Sequence, residues 1–198
     1  MDFSSTNSLV AYLRKDNSVV SSYVHWDGNT TGVGETLLEN YNSEELAREL
    51  ATDLGYASSL RETIAASHED RANSDVSEVY ESYELFEEFI RESTYLEYVY
   101  VWDCHSDKWM VASWETTRKE VFTGEGRDYE FDSTWNGFEN LVTVYVREGR
   151  STVTRYREMV REARVGDEYL EHASELEGLV DKWHGVGMAE VAREALAA

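Results

Sequence analysis

The sequence predicts an α+β fold: a small antiparallel sheet built from two hairpins and packed with helices, followed by a helical C-terminal extension. Three observations lead there. Two pairs of short aromatic and β-branched runs, near 9–26 and 95–114, are each joined by a polar turn. Between them Val79, Tyr83, Phe86 and Ile90 recur at helical spacing. From Ser151 onward the pattern is helical throughout. The division that follows is a body over 1–150 and an extension over 151–198.

In chain order, 9–13 and 19–26 read as strands joined by a turn at Arg14-Lys15-Asp16-Asn17. Along the second strand Tyr23, His25 and Asp27 share one face, Val24 and Trp26 the other. A glycine-rich loop, Gly28 to Gly34, leads into a short helix over 35–41. Asn42 is the expected cap of the next helix, with Glu45 as its capping-box partner and Gly55 as its stop. A further helical piece is expected within 56–67. Asp75 is the expected N-cap of a long helix over 76–92, which carries the apolar stripe on one side and glutamates on the other. Residues 95–104 and 108–114 form the second hairpin around His105-Ser106-Asp107. Residues 115–135 are mixed, with a loop at Gly124 and Gly126, and 138–146 fit strand and helix equally. The last helices are expected over 152–163, 167–182 and 188–197, broken at Gly166 and Gly185-Val186-Gly187.

Composition bounds the function. Forty Asp and Glu face eighteen Lys and Arg, for a formal charge of −22. That balance speaks against direct binding of nucleic acid or an anionic membrane, since a basic patch supplies most of that affinity. The 41% apolar share, with thirteen Tyr and six Trp, is too large for a disordered acidic tail. Cys104 is the one cysteine, so no intramolecular disulfide forms, which suits a reducing compartment. The start MDFSSTNSLVAYLRKDNS does not read as a secretory leader, and nothing approaches the roughly 18 apolar residues of a membrane span. Arg outnumbers Lys fourteen to four, a bias that goes with GC-rich and halophilic genomes. The acid is uneven: residues 51–100 carry twelve acids against three bases, and the block peaks between Glu69 and Glu97.

The run Tyr23-Val24-His25-Trp26-Asp27-Gly28, with Gly32-Val33-Gly34 and Leu37-Leu38-Glu39-Asn40-Tyr41, resembles a family of small tailed-phage proteins with a YCHWDGYPEGVGKTLLENY-type segment. A later hairpin, Glu97 to Trp102 and Lys108 to Val111, is similar to that family's EYAYLF…GKWYV pattern. The resemblance covers about half the chain, and no activity is assigned to the family. It implies a viral gene acting in the cytoplasm of a prokaryotic host, where small accessory phage proteins often disable host machinery. This chain departs from the pattern at Glu35, where relatives carry Lys.

Several constellations carry candidate chemistry. Gly28 to Thr36 looks like a phosphate loop, but the first glycine is one residue early and Glu35 replaces the lysine, so a glycine-rich strand-to-helix turn fits better. His25 and Asp27 share a strand face, as a carboxylate orienting an imidazole general base would, or as a structural pair at a turn. Asp103, Cys104, His105 and Asp107 bunch at a hairpin tip without a second ligand cluster, which reads as a polar turn; no metal and no cofactor are expected. The strongest feature is the acidic face of Glu78, Glu81, Glu84, Glu87, Glu88 and Glu92. Like charges three and four apart destabilise a helix by a few tenths of a kcal/mol per pair. A chain that carries them uncompensated uses the field, or simply coats itself for a salty cytoplasm.

The expectation is a non-enzymatic viral protein whose acidic face mimics DNA toward a host nucleic-acid-binding protein, as an anti-restriction or anti-CRISPR inhibitor would. The alternatives are a virion-associated or halophile-adapted protein without inhibitory role, and a small hydrolase-like enzyme using His25 and Asp27. Residues 151–198 pack on the body or, alternatively, form a homodimer.

Overall fold

The computed structural model describes residues 6–68, 76–123 and 126–197, with the backbone alone for 115–123 and 126–133. Its elements run β1 (Ser8–Leu13), β2 (Val19–Val24), α1 (Glu35–Asn40), α2 (Glu44–Asp53), β3 (Tyr56–Ala57), α3 (Ile64–Ser67), β4 (Glu78–Tyr80), α4 (Tyr83–Glu92), β5 (Tyr98–Asp103), β6 (Lys108–Thr123), β7 (Gly126–Trp135), β8 (Glu139–Asn140), α5 (Leu141–Arg161) and α6 (Glu168–Ala197).

Both predicted hairpins form. In the first, Asn17 takes the left-handed conformation (φ 67°) that Asn tolerates, and Asp16 Oδ1 accepts the Ser18 N–H at 3.0 Å. In the second, Asp107 turns the chain at φ 54°. The expected small antiparallel sheet is corrected. The sheet has eight strands, in the order β3-β2-β1-β5-β6-β7, with β4 on β2 and β8 on β6, and it is mixed. β1 runs parallel to β5 from Ser8↔Tyr98 to Leu13↔Asp103, and β2 parallel to β3. The helix-bearing connection from β2 to β5 supplies the crossover that parallel strands need. All six residues of β1 are buried, as befits a strand flanked on both edges and covered on both faces.

One face of the sheet (Val10, Tyr12, Val20, Tyr100, Trp102, Trp109) packs on α1, α2, α5 and α6 through Leu37, Leu50, Tyr145, Leu176 and Val180. The other (Leu9, Ala11, Val19, Val99, Val101) packs on Phe86 and Ile90 of α4.

Several element boundaries differ from expectation. Ser43 rather than Asn42 caps α2, accepting the Leu46 N–H at 3.4 Å. The residues 56–67 hold a two-residue strand as well as a short helix. The long helix over 76–92 is a strand and a shorter helix: residues 78–80 pair antiparallel with 19–21 of β2, and α4 starts only after Ser82, whose Oγ accepts the Leu85 N–H at 3.3 Å. The open edge of β2 supplies backbone partners that a longer helix would forgo. The expected cap Asp75 lies outside the described residues. Strands β6 and β7 also replace the mixed region expected at 115–135.

At the C-terminus, α5 starts at Leu141 and runs across the 150/151 boundary. Asn140 Oδ1 caps it, accepting from Val142 N–H at 2.9 Å. The break near Gly166 is present, but α6 continues through Gly185-Val186-Gly187, against expectation. Gly187 has a reason to be small, since an added Cβ would sit 3.3 Å from Val142 of α5. α6 docks on the body as expected: Glu39 of α1 accepts from Lys182 Nζ at 2.6 Å and from Trp183 Nε1 at 2.6 Å. Among the described residues no helix is long and apolar enough to cross a membrane.

Candidate functional site

α4 buries Phe86 and Ile90 one turn apart, packs Tyr83 and Phe89 partly against the same core, and turns its remaining side outward. Glu84, Glu88 and Glu92 are exposed along that outer side, with Glu87 partly buried beside them. Glu78 on β4 and Glu81 in the bend before Ser82 are exposed as well, so the six predicted acids share one region but not one helix. Arg91 is the one cation on α4, and its pair with Glu87 is loose at 3.6 Å. Other ion pairs neutralise acids elsewhere: Lys108 with Glu190 at 2.6 Å and Glu194 at 3.4 Å, Arg147 with Glu139 at 3.0 Å, Arg157 with Glu177 at 2.7 Å, Arg164 with Glu162 at 3.4 Å and Lys182 with Glu39 at 2.6 Å. These cations serve acids outside α4, and of the α4 acids Glu87 alone has an ion-pair partner among the described residues.

The Gly28–Gly34 region is a packed turn. Asp27 takes a left-handed conformation (φ 59°), its carbonyl accepts the Val33 N–H at 2.8 Å, and one π-helical turn, Thr30–Gly34, runs directly into α1. Tyr100, fully buried, donates its hydroxyl to the Gly28 carbonyl at 2.8 Å. A Cβ on Gly28 would overlap the Thr6 carbonyl, and one on Gly32 the Asp27 carbonyl. His25 and Asp27 do not form a hydrogen-bonded pair: His25 Nδ1 lies 3.2 Å from Tyr23 Oη, and its ring meets Trp26 edge-on at 4.6 Å, while Asp27 is exposed.

Glu35, where a phosphate loop has lysine, accepts the Tyr145 hydroxyl at 2.7 Å. Burial, with nearby Glu39 adding to it, holds the Glu35 carboxyl above its usual range despite that hydrogen bond. A raised folded-state value means that Glu35 favours the fold while protonated. This contribution is present below the ordinary carboxylate pKa and lost as pH rises through the raised value. Glu35→Gln keeps an acceptor for Tyr145 and removes the buried charge. Its urea midpoint at pH 7 is expected to exceed that of the parent, with the advantage vanishing below the carboxylate range; a lower midpoint at pH 7 contradicts this reading.

The hairpin tip brings the donor atoms of Asp103, Cys104 and His105 within 4.8 Å of one another, without Asp107. These three could offer an open three-donor set to a metal ion. The turn already uses the carboxylate: Asp103 Oδ1 accepts the His105 backbone N–H at 2.9 Å and Oδ2 the Ser106 hydroxyl at 2.6 Å. Burial also pushes the Cys104 thiol up, away from the thiolate a metal needs.

One feature escaped sequence reasoning. A cleft of about 290 Å³ lies between α4 and the outer end of β2, lined by Tyr23, Tyr56, Tyr95, Phe89, Ser21 and Glu78 among others. The β2–β3 register sets Tyr23 opposite Tyr56, and Asn7 Nδ2 donates to the Tyr95 carbonyl at 3.1 Å, bringing the third ring in. The abundance of tyrosine was the available signal, but nothing in the spacing of positions 23, 56 and 95 joins them. Comparison with protein-family models, curated proteins and solved structures finds no match to this chain.

Proposed function

We propose that this chain is a phage-encoded accessory protein that acts in the cytoplasm of its host as a decoy for nucleic acid. Its acidic face occupies the basic groove of a host nucleic-acid-binding protein of a defence or regulatory system. The observation that carries this reading is the concentration of uncompensated acid around α4. Glu139, Glu162, Glu177, Glu190 and Glu194 on or beside α5 and α6 have Lys or Arg partners, though Glu168, Glu171 and Glu175 have none among the described residues; Glu78, Glu81, Glu84, Glu88 and Glu92 likewise form no ion pair among the described residues, and Glu87 has only the loose Arg91. Glu84, Glu88 and Glu92 succeed one another at about 6 Å along the axis. That pitch is of the same order as the roughly 3.4 Å of duplex axis per phosphate on one strand. A field of this kind speeds capture of a basic partner and is weakened by salt.

The test is immobilised protein in host lysate. Captured proteins are expected to be nucleic-acid binders, released by duplex DNA and by about 0.5 M salt. The triple reversal Glu81→Lys, Glu84→Lys, Glu88→Lys is expected to weaken capture about a hundredfold or more. The reversal Glu168→Lys, Glu171→Lys, Glu175→Lys on α6 changes net charge equally and is expected to leave capture largely intact. Equal loss from both sets, or no partner that DNA displaces, overturns the proposal. In the latter case, stability that climbs steadily toward molar salt assigns the acid to solvation.

A further inference from the structure

The cleft beside α4 has a chemistry of its own, independent of the decoy reading. Its walls are tyrosine rings set at an angle: Tyr23 meets Tyr56 at 5.4 Å and 37°, and Tyr95 at 6.1 Å and 65°. Burial first, then the neighbouring Tyr56, Tyr95 and Glu97, pushes the Tyr23 phenol up to about 12, so it presents a neutral ring. Aromatic faces carry the negative lobe of the ring quadrupole. The charged group lining the cleft is Glu78; no Lys or Arg lines it among the described residues. Glu78 Oε2 accepts the Tyr80 hydroxyl at 2.6 Å, and Oε1 has no hydrogen-bond partner among the described residues. Close by, Glu97 carries a buried carboxylate oxygen that also lacks one.

Such a site repels anions. It offers a hard metal ion no ring of oxygens to replace its waters. A volume of about 290 Å³ lies at the lower end of small-molecule pockets, about 300–1,000 Å³. It suits a single head group. We infer that this cleft binds a weakly hydrated organic cation, a guanidinium or alkylated ammonium group, held against the rings of Tyr23 and Tyr95 and neutralised by Glu78. A guanidinium also has the planar donors to engage the open Glu78 oxygen.

The experiment needs no macromolecular partner. The full chain is titrated with N-acetylarginine methylamide and with tetramethylammonium, followed by NMR of the tyrosine rings. The control is N-acetylcitrulline methylamide, the neutral isostere of the first probe. Saturable shifts centred on Tyr23, Tyr56 and Tyr95 are expected, with the citrulline compound about tenfold weaker or more. Tyr95→Ala, at a half-exposed ring whose removal leaves the core intact, is expected to weaken both cations about tenfold, and Glu78→Gln to do the same. The inference is overturned if the shifts fail to saturate, if citrulline binds as well as arginine, if they spread over α4 rather than the cleft, or if neither variant changes the titration. Because the probes are small, failure here leaves the lysate experiment undecided by it, and the reverse holds too.

Discussion

Truncating Phe86 to alanine is expected to lower the unfolding free energy by about 3–5 kcal/mol and to release α4 before the rest of the molecule. Phe86 is fully buried and shares the anchoring of a ten-residue helix with Ile90. It also meets the Tyr80 ring at 5.2 Å, so its loss loosens β4 against the same core. Helices shorter than about 12–15 residues are marginal alone in water. This one carries the like-charge spacings Glu84–Glu88 and Glu88–Glu92 as well, each unfavourable by a few tenths of a kcal/mol. With one anchor gone, the remaining contacts no longer outweigh repulsion and chain entropy. Urea unfolding gives the global loss; hydrogen exchange shows whether amides of 83–92 lose protection ahead of β1 and β5. Equal protection across α4 and β5 in the variant contradicts this account. On the decoy reading, Phe86→Ala also weakens partner capture, although no charge has changed.

Gly32→Ala is expected to destabilise by about 3 kcal/mol or more. The restriction is one of room, since Gly32 is not at positive φ. A methyl group there would overlap the Asp27 carbonyl oxygen, which is backbone and cannot swing aside like a side-chain end. Moving that carbonyl gives up the hydrogen bond from Val33 N–H and disturbs Gly28, whose carbonyl is the partner of the buried Tyr100 hydroxyl. Gly185→Ala is the internal contrast. Nothing lies within 4 Å of a Cβ placed there in the middle of α6, so the same substitution is expected to stabilise by about 0.5–1 kcal/mol. Thermal unfolding followed by circular dichroism reads both. A mild effect at Gly32 would sink the packed-turn explanation of the Trp26-Asp27-Gly28 and Gly32-Val33-Gly34 segment.

How much of this was legible in the sequence depended on how local the cause was. The turns at Asn17 and Asp107 were readable because short-range backbone chemistry decides them. The Phe86 and Ile90 spacing marked the buried side of α4, but its start did not follow, because Ser82 caps it while β4 is drawn to the edge of β2. Periodicity identified β1 and β5 as strands and could not say that they lie side by side. The polar run Thr116-Thr117-Arg118-Lys119 hid the length of β6, since pairing with β7 rather than an apolar face defines it. The glycines at 185 and 187 read as a break because their helical cost is visible in sequence, whereas the close approach of Gly187 to Val142 is not. Of the candidate site, the acids were legible as a charge block; the tyrosine cleft was not, because tertiary pairing alone assembles it.

The parallel seam between β1 and β5 has a consequence for biogenesis. Partners such as Leu9 and Val99 are far apart along the chain, so this seam closes only after a long loop is gathered in. During translation the first hairpin is complete early, yet the inner edge of its apolar strand 8–13 stays open until residue 103 has left the ribosome. That interval, rather than anything in the finished molecule, is when this protein is most exposed to strand-swapping between nascent chains.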